Sequence, residues 1–127
     1  MMKTEEELIW ESYNIKKWFG DSKVVDDSGK PLKVYHGTST KFNKFDYNKH
    51  IGGLYWFTSN KEDILSGLSG AKSSKHIIEA FLKIENPANR KLYDNLTIME
   101  LKSRGYDGAI LGSTYVVFSD KQIKIIN

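Results

Sequence analysis

The stretch of sequence that decides the fold is Val34-Tyr35-His36-Gly37-Thr38, which reads VYHGT. Its first residues continue the segment Leu32-Lys33, and the resulting run of aliphatic and aromatic residues around one lysine is typical of a short β-strand. His36 stands at the predicted end of that strand, and the glycine after it lets a ligand approach the backbone closely. The segment offers an imidazole, a bare peptide group and a hydroxyl within three residues, which predicts a binding site. The alternative interpretation is a histidine that bonds only to its own turn.

Three aromatic residues in succession follow Gly52-Gly53, within the segment Leu54-Tyr55-Trp56-Phe57. If this segment is a strand, its side chains alternate, so Tyr55 and Phe57 share one face and Trp56 takes the other. One face is expected to enter the core, which leaves an aromatic ring able to stack on a flat ligand. The alternative is that all three rings only pack in the core or at a sheet edge.

A third stretch, Gly112–Phe118, has the composition of a buried strand, and a turn follows it. The rest of the chain alternates short strand-like segments with a few helical ones. We predict helices at 1–19, 61–65 and 95–104, and strands at 76–84, 109–111 and 122–126, with a short helix as the alternative for 76–84. We also predict an ordered loop at 38–53 and a flexible stretch at 66–74. This pattern favours an α+β fold built on a mixed or split sheet. We expect one domain over residues 1–127, in which an N-terminal helix (1–19) precedes the core (20–127).

Composition excludes several classes of protein. With 39% hydrophobic and 13% aromatic residues the chain is not intrinsically disordered. It has no cysteine, which excludes disulfide scaffolds, thiolate zinc sites and cysteine nucleophiles. Three histidines without cysteine make a poor donor set for zinc, so we expect no metal. No apolar run approaches a membrane span and no secretory signal is visible, so we expect a cytoplasmic protein without a membrane partner.

The formal net charge of +3 is small, but its distribution is uneven. Five lysines and one acid lie between Lys30 and Lys49, and five basic residues and two acids lie between Lys72 and Lys91. A solvated lysine-rich surface accounts for this pattern. A nucleic-acid surface or a site for dinucleotide phosphates would also account for it.

Taken in order, these stretches resemble the ADP-ribosyltransferase fold of the diphtheria-toxin and poly(ADP-ribose)-polymerase type. The chain is most similar to the ADP-ribosyltransferase domains of polyvalent proteins from phages and mobile elements. The similarity runs in the family's order from about residue 18 to the C-terminus, and the helix before Trp18 is not covered. The residues that carry it are Ser22–Asp26, Lys30–Leu32, Val34–Thr38, Phe42, Phe45-Asp46, Gly53, Tyr55–Asn60, Ile84–Pro87, Gly105–Gly108, Tyr115–Phe118 and Gln122–Lys124.

The resemblance implies a split β-sheet core with a crevice that binds NAD as a substrate. His36 would bond to the ribose next to nicotinamide, and the Gly37 backbone would pair with the nicotinamide carboxamide. Thr38 would support the adenine-side ribose or order His36.

An aromatic ring of the second stretch would stack on nicotinamide, and the resemblance allows two registers. Counting forward from Gly53 selects Tyr55, whereas counting back from Phe57-Thr58 selects Trp56. We prefer Trp56, because Ser59 and the residues after it then align without a gap.

One position departs from the family's pattern. The family places a glutamate just before the strand Tyr115–Phe118, and Thr114 stands there in this chain. Cleavage of NAD passes through an oxocarbenium-like state, and a carboxylate stabilises its positive charge. A threonine hydroxyl has a dipole but no charge, so the resemblance supports NAD binding more directly than catalysis. If Thr114 is not in the crevice, Glu85 or Asp107 is the alternative acid.

Two main functions follow from the resemblance. The first is an NAD-dependent mono-ADP-ribosyltransferase, a glycosyltransferase that modifies a host macromolecule, most simply a host protein. The second is a non-catalytic module that binds NAD or ADP-ribose. A virion or nucleic-acid-associated protein that uses the fold only as a scaffold is a third interpretation. An RNA phosphotransferase is disfavoured, because the chain has only two arginines, Arg90 and Arg104, for phosphate.

Overall fold

The structure of the chain is a computed structural model that describes residues 14–38, 54–65 and 76–126. Residues 14–19 are helical and form α1. The other helices are α2 Lys61–Leu65, α3 Arg90–Asn95 and α4 Ile98–Ser103, and a 3-10 turn spans Asp120–Gln122. The strands are β1 Val34–Thr38, β2 Tyr55–Thr58, β3 His76–Leu82, β4 Pro87–Ala88, β5 Gly108–Leu111, β6 Thr114–Val117 and β7 Ile123–Ile125.

All seven strands lie in one sheet in the order β4-β5-β6-β2-β1-β3-β7. The β4–β5 pair is parallel and the other pairs are antiparallel, so the sheet is mixed. Short helices flank it. This confirms the predicted α+β class with a mixed sheet. Within the described residues, no helix is long and apolar enough to cross a membrane.

Pairing within the sheet is shortest between β1 and β2, and we call this place the split. β1 pairs with β3 along its whole length, from Val34↔Ala80 to Thr38↔His76. With β2, in contrast, the described residues of β1 share one pair, Tyr35↔Thr58. The two strands therefore diverge just beyond Tyr35, at His36.

Two hydrophobic clusters lie on opposite faces of the central strands. The first, the inner core, contains buried side chains from β1, β2, β3 and β6 together with Val24 and Ile84: Val34, Tyr55, Phe57, Ile78, Ala80, Leu82, Tyr115 and Val117. The second, the outer core, lies beneath α3 and α4 and contains Ala88, Leu101, Ala109, Leu111, Val116 and Phe118. Alternation along β6 explains the division, because Tyr115 and Val117 face one core and Val116 faces the other.

Two predicted elements differ from the structure. The predicted helix 95–104 begins only at Ile98, where Thr97 and Glu100 form a reciprocal capping box. α3 precedes it as a separate short helix that the sequence pattern did not predict. The predicted strand 76–84 ends at Leu82, because Ile84 bonds instead to Lys23 and to the Ser22 hydroxyl.

Three other expectations fall wholly or partly on residues that the structure does not describe. The predicted N-terminal helix is observed for residues 14–19, and residues 1–13 lie outside the described ranges. The predicted loop at 38–53 and the predicted flexible stretch at 66–74 also lie there, apart from the backbone of Thr38.

The Gln122 side chain joins strands from both halves of the split sheet. Its Nε2 donates to the carbonyl oxygens of Lys83, at 2.8 Å, and Asp107, at 2.7 Å. Its Oε1 accepts from the backbone N–H of Phe118 at 3.1 Å. One partly buried amide thus satisfies three backbone groups that lie after β3, before β5 and after β6.

We predict that Gln122→Glu destabilises the protein by about 3 kcal/mol, since a carboxylate oxygen would then oppose two carbonyl oxygens. Denaturant unfolding followed by circular dichroism measures this free energy. Asn95→Asp is the matched control: it also replaces an amide that donates to a carbonyl, that of Lys91, but at an exposed site. Equal losses for the two variants would show that Gln122 has no special role.

Candidate functional site

His36 lies where β1 and β2 diverge, and its side chain bridges the opening. Its Nδ1 is 2.7 Å from the backbone oxygen of Trp56. A carbonyl oxygen can only accept, so Nδ1 carries the proton. In the neutral ring Nε2 is then the acceptor nitrogen, which suits it to receive a hydrogen bond from a hydroxyl group.

The His36 ring also packs against β2. Its centroid is 5.4 Å from that of Phe57, at an interplanar angle of 47°. The histidine is partly exposed, whereas Phe57 is buried in the inner core. β1 continues past His36 through Gly37 and Thr38, two residues beyond the predicted strand end, because Ile77 and His76 of β3 pair with them. The Thr38 side chain lies outside what the structure describes.

The three aromatic residues of β2 alternate as their spacing predicts. Tyr55 and Phe57 are 0% and 2% exposed and belong to the inner core. Trp56 faces the opposite side of the sheet and is 45% exposed. Of the two aromatic side chains that the sequence proposed for stacking, Trp56 is therefore the one whose ring a ligand can reach.

Tyr93 of α3 holds the Trp56 ring from one side. The two ring centroids are 5.8 Å apart and the planes meet at 86°, an edge-to-face contact. Partial burial, and secondarily the charge of Asp94, raise the pKa of Tyr93. Tyr93 is not among the residues that the sequence pattern indicates, because that pattern does not predict the helix that carries it.

Thr114 begins β6, two strands away from β1. Its Cα partner on β2 is Thr58, whose partner on β1 is Tyr35. This row spans three strands, which places Thr114 about 10 Å from Tyr35. Because Trp56 is two residues from Thr58 on β2, alternation puts Trp56, Thr58 and Thr114 on one face. The His36 ring lies toward the other face, and its bond to the Trp56 backbone connects the two sides.

A carboxylate that the sequence did not single out lies beside this row. The Thr58 hydroxyl, buried at 3% exposure, donates to Oδ2 of Asp63 at 3.1 Å. The same oxygen of Thr58 accepts the backbone N–H of Asn60 at 3.1 Å. Asp63 belongs to α2 and is partly exposed. In sequence it is one of two successive acids in a short helix, a pattern typical of a solvated surface.

The two acids considered as alternatives to Thr114 have structural partners. Asp107 accepts the backbone N–H groups of Glu85 and Asn86, both at 2.9 Å. Glu85 accepts the backbone N–H of Asp21 at 3.2 Å and lies 3.9 Å from the Lys83 amine. Both carboxylates thus fix the segment that follows β3. Among the described residues, no group of three His, Asp or Glu side chains is arranged to hold a metal ion.

A family model described as ADP-Ribosyltransferase in polyvalent proteins matches residues 26–98. The match covers more than half of the 127 residues and includes every element from β1 to α3. It contains His36, Trp56 and Asp63 and ends before Thr114. No curated protein and no solved structure gave a significant match to the chain. The family match confirms the resemblance that the sequence motifs indicated.

We predict that His36→Ala weakens NAD binding at least tenfold, because it removes both the bond to the Trp56 backbone and the acceptor nitrogen at the split. Isothermal calorimetry with NAD measures the affinity, and circular dichroism checks the fold. His76→Ala, at an exposed residue that begins β3, is the matched control and should bind NAD normally. An unchanged affinity in His36→Ala would contradict the assignment of the site.

Proposed function

Since the chain belongs to the family of ADP-ribosyltransferases in polyvalent proteins, we propose that it is an NAD-dependent mono-ADP-ribosyltransferase that modifies a host macromolecule. The split between β1 and β2 is the observation that carries this proposal. There, Nδ1 of His36 donates to the backbone oxygen of Trp56, so a histidine of fixed tautomer on one face and an exposed indole on the other meet at the same opening. A sugar hydroxyl and a flat heterocycle, the two halves of a nicotinamide riboside, are the groups that such a pair recognises.

The residues at the split have distinct roles in the proposed site. His36 accepts a hydrogen bond from the ribose next to nicotinamide through Nε2. The Gly37 peptide pairs with the carboxamide, and Thr38 supports the adenine-side ribose or orders His36. Trp56 stacks on the nicotinamide ring, and Tyr93 fixes the angle of the indole. Tyr55 supports the strand from the inner core, where its ring is enclosed.

The transfer breaks the bond between the ribose C1 and the nicotinamide nitrogen, and the bonding electrons leave with nicotinamide. A lone pair of the acceptor then forms the new bond to C1, and the acceptor loses a proton. Positive charge builds on the ribose between these events, so a nearby carboxylate lowers the barrier. Thr114 cannot supply that charge.

A second candidate function is a module that binds NAD or ADP-ribose without cleaving it, and Thr114 is the observation that favours it. The two functions differ in one measurable product. Incubation of the full chain with NAD, followed by chromatography, detects nicotinamide if the protein is a transferase or a slow NAD hydrolase. Calorimetric binding of NAD without nicotinamide release supports the binding module instead.

The acceptor and the setting are parts of the proposal that follow from the family. We propose a phage or mobile-element protein that acts in the host cytoplasm and whose preferred acceptor is a host protein. The segments 41–52 and 66–74 are proposed to select the acceptor; both lie outside the described residues. A nucleic-acid acceptor remains the alternative that the lysine-rich stretches suggest, and its binding would weaken steeply with added salt.

We predict that Trp56→Ala weakens NAD binding about tenfold or more, in keeping with one lost aromatic stacking contact. Trp18→Ala is the matched control, since Trp18 packs against Phe19 and Lys124 in another part of the molecule. Calorimetry with both variants tests the assignment. If Trp56→Ala binds as tightly as the parent, nicotinamide does not stack on this ring.

We predict that Thr114→Glu raises the rate of NAD hydrolysis about tenfold or more, because it places a charge where the family carries its glutamate. Nicotinamide release gives the rate. Thr114→Gln is the control, because it has the same length and no charge, and it should show no gain. A Thr114→Glu variant that folds and binds NAD but is no faster would contradict this prediction.

A further inference from the structure

We propose that Asp63 supplies the carboxylate that Thr114 lacks, and that it stabilises the ribose cation when NAD is cleaved. This inference rests on the proposed function, because it names a catalytic residue of the same site. It starts from the row of paired residues that crosses β2 and β6. Thr58 and Thr114 are direct Cα partners, so their side chains are cross-strand neighbours with Cβ atoms about 5 Å apart.

The Thr58 hydroxyl links the negatively charged carboxylate of Asp63 to that row. Its 3.1 Å bond to Oδ2 ties the Asp63 carboxylate to the residue opposite Thr114. The helix that carries Asp63 is itself fixed at its start, where the Asn60 side chain accepts the backbone N–H of Glu62 at 3.1 Å. The acid is therefore held in place at both the backbone and the side chain.

The spacing of Trp56 and Thr58 along β2 relates this carboxylate to a ring stacked on the indole. Trp56 and Thr58 are two positions apart on the same face of β2, a distance of about 7 Å. A nicotinamide ring that stacks on the indole directs its ribose either toward Thr58 or away from it. In the first orientation the anomeric carbon approaches the Asp63 carboxylate. Both side chains are accessible, since Trp56 is 45% exposed and Asp63 is partly exposed.

Other described carboxylates are less well placed. Glu79 lies in the same row of paired residues, but it is two strands from Thr58, and its carboxylate is 3.6 Å from the Lys33 amine. Asp107 is occupied by two backbone N–H groups. Glu62, the neighbour of Asp63 on α2, is exposed, and its side chain has no comparable link to the β2–β6 row among the contacts described.

The step that we assign to Asp63 is balanced without a further reactant. In the hydrolytic reaction, the C1–N bond breaks and nicotinamide leaves with the electron pair. Water adds through its oxygen to C1, and its proton passes to the Asp63 carboxylate and then to solvent. In transfer, the acceptor group takes the place of water. The carboxylate is needed in its charged form, both to face the cation and to receive the proton.

Asp63→Asn tests this role, because the amide oxygen can still accept from Thr58 while the charge is lost. We expect nicotinamide release to fall about 100-fold, the size of one electrostatic or general-base contribution, with NAD affinity unchanged. Asp63→Ser is a second neutral variant, with a smaller side chain, should the first fail to fold. Glu62→Gln, the same change one residue earlier, should keep the parent's rate.

The outcomes separate the two proposals. A parent that releases nicotinamide together with equally active Asp63 variants overturns the role of Asp63 and leaves the transferase function standing. A parent that binds NAD but releases no nicotinamide overturns the transferase and the catalytic role of Asp63 with it. A loss of NAD affinity equal to the loss of rate in Asp63→Asn also overturns the role, because it would identify a residue that only binds substrate or supports the fold.

Combining Asp63→Asn with Thr114→Glu gives a sharper test. If both acids serve the same cation, the gain from Thr114→Glu is larger in the Asp63→Asn background than in the parent, where two carboxylates would compete for one place. Equal gains in the two backgrounds would show that the two positions act independently, and would overturn the proposal.

Discussion

The feature on which the site depends is the single residue pair, Tyr35↔Thr58, that joins β1 to β2 within the described residues. Beyond this pair the backbone ladder stops, and the backbone oxygen of Trp56 needs another donor. The His36 imidazole supplies it at 2.7 Å. The imidazole takes the place of the missing ladder partner, and a hydrogen bond of this kind contributes about 1 kcal/mol. The same bond that stabilises the split thereby fixes which histidine nitrogen a ligand meets.

The pleat of β2 divides structural roles from functional ones. Tyr55 and Phe57 are fixed in the inner core, whereas Trp56 is held from the side by Tyr93 and keeps an accessible face. A shift of one residue in the register of β2 would bury the indole and expose two core rings, which the packing opposes strongly. The aromatic platform therefore depends on the register of β2 against β6, which four consecutive pairs establish.

Much of the fold and part of the site could be predicted from the sequence, because they depend on local patterns. Alternation assigned Trp56 and its neighbours to their faces, and the residues around His36-Gly37 indicated the family. Tyr93 and Asp63 could not be found in this way. Tyr93 lies on a helix of six residues whose N-cap, Asn89, was not recognised in the sequence. Asp63 becomes a candidate site residue only through its hydrogen bond from the Thr58 hydroxyl, which the sequence does not show. Both are tertiary relationships, and spacing along the chain carries no signal for them.

The contact between Thr58 and Asp63 also has a structural consequence. A buried hydroxyl needs partners, and Thr58 finds them in the Asn60 N–H and the Asp63 carboxylate. The sheet and α2 are thus joined through the residue that stands opposite Thr114. A glutamate on β6 would be positioned by the strand's own pleat, whereas an acid on α2 is positioned by a side-chain bond. Catalysis through Asp63 therefore makes Thr58 a positioning residue, and it ties the chemistry to the docking of α2 on β2.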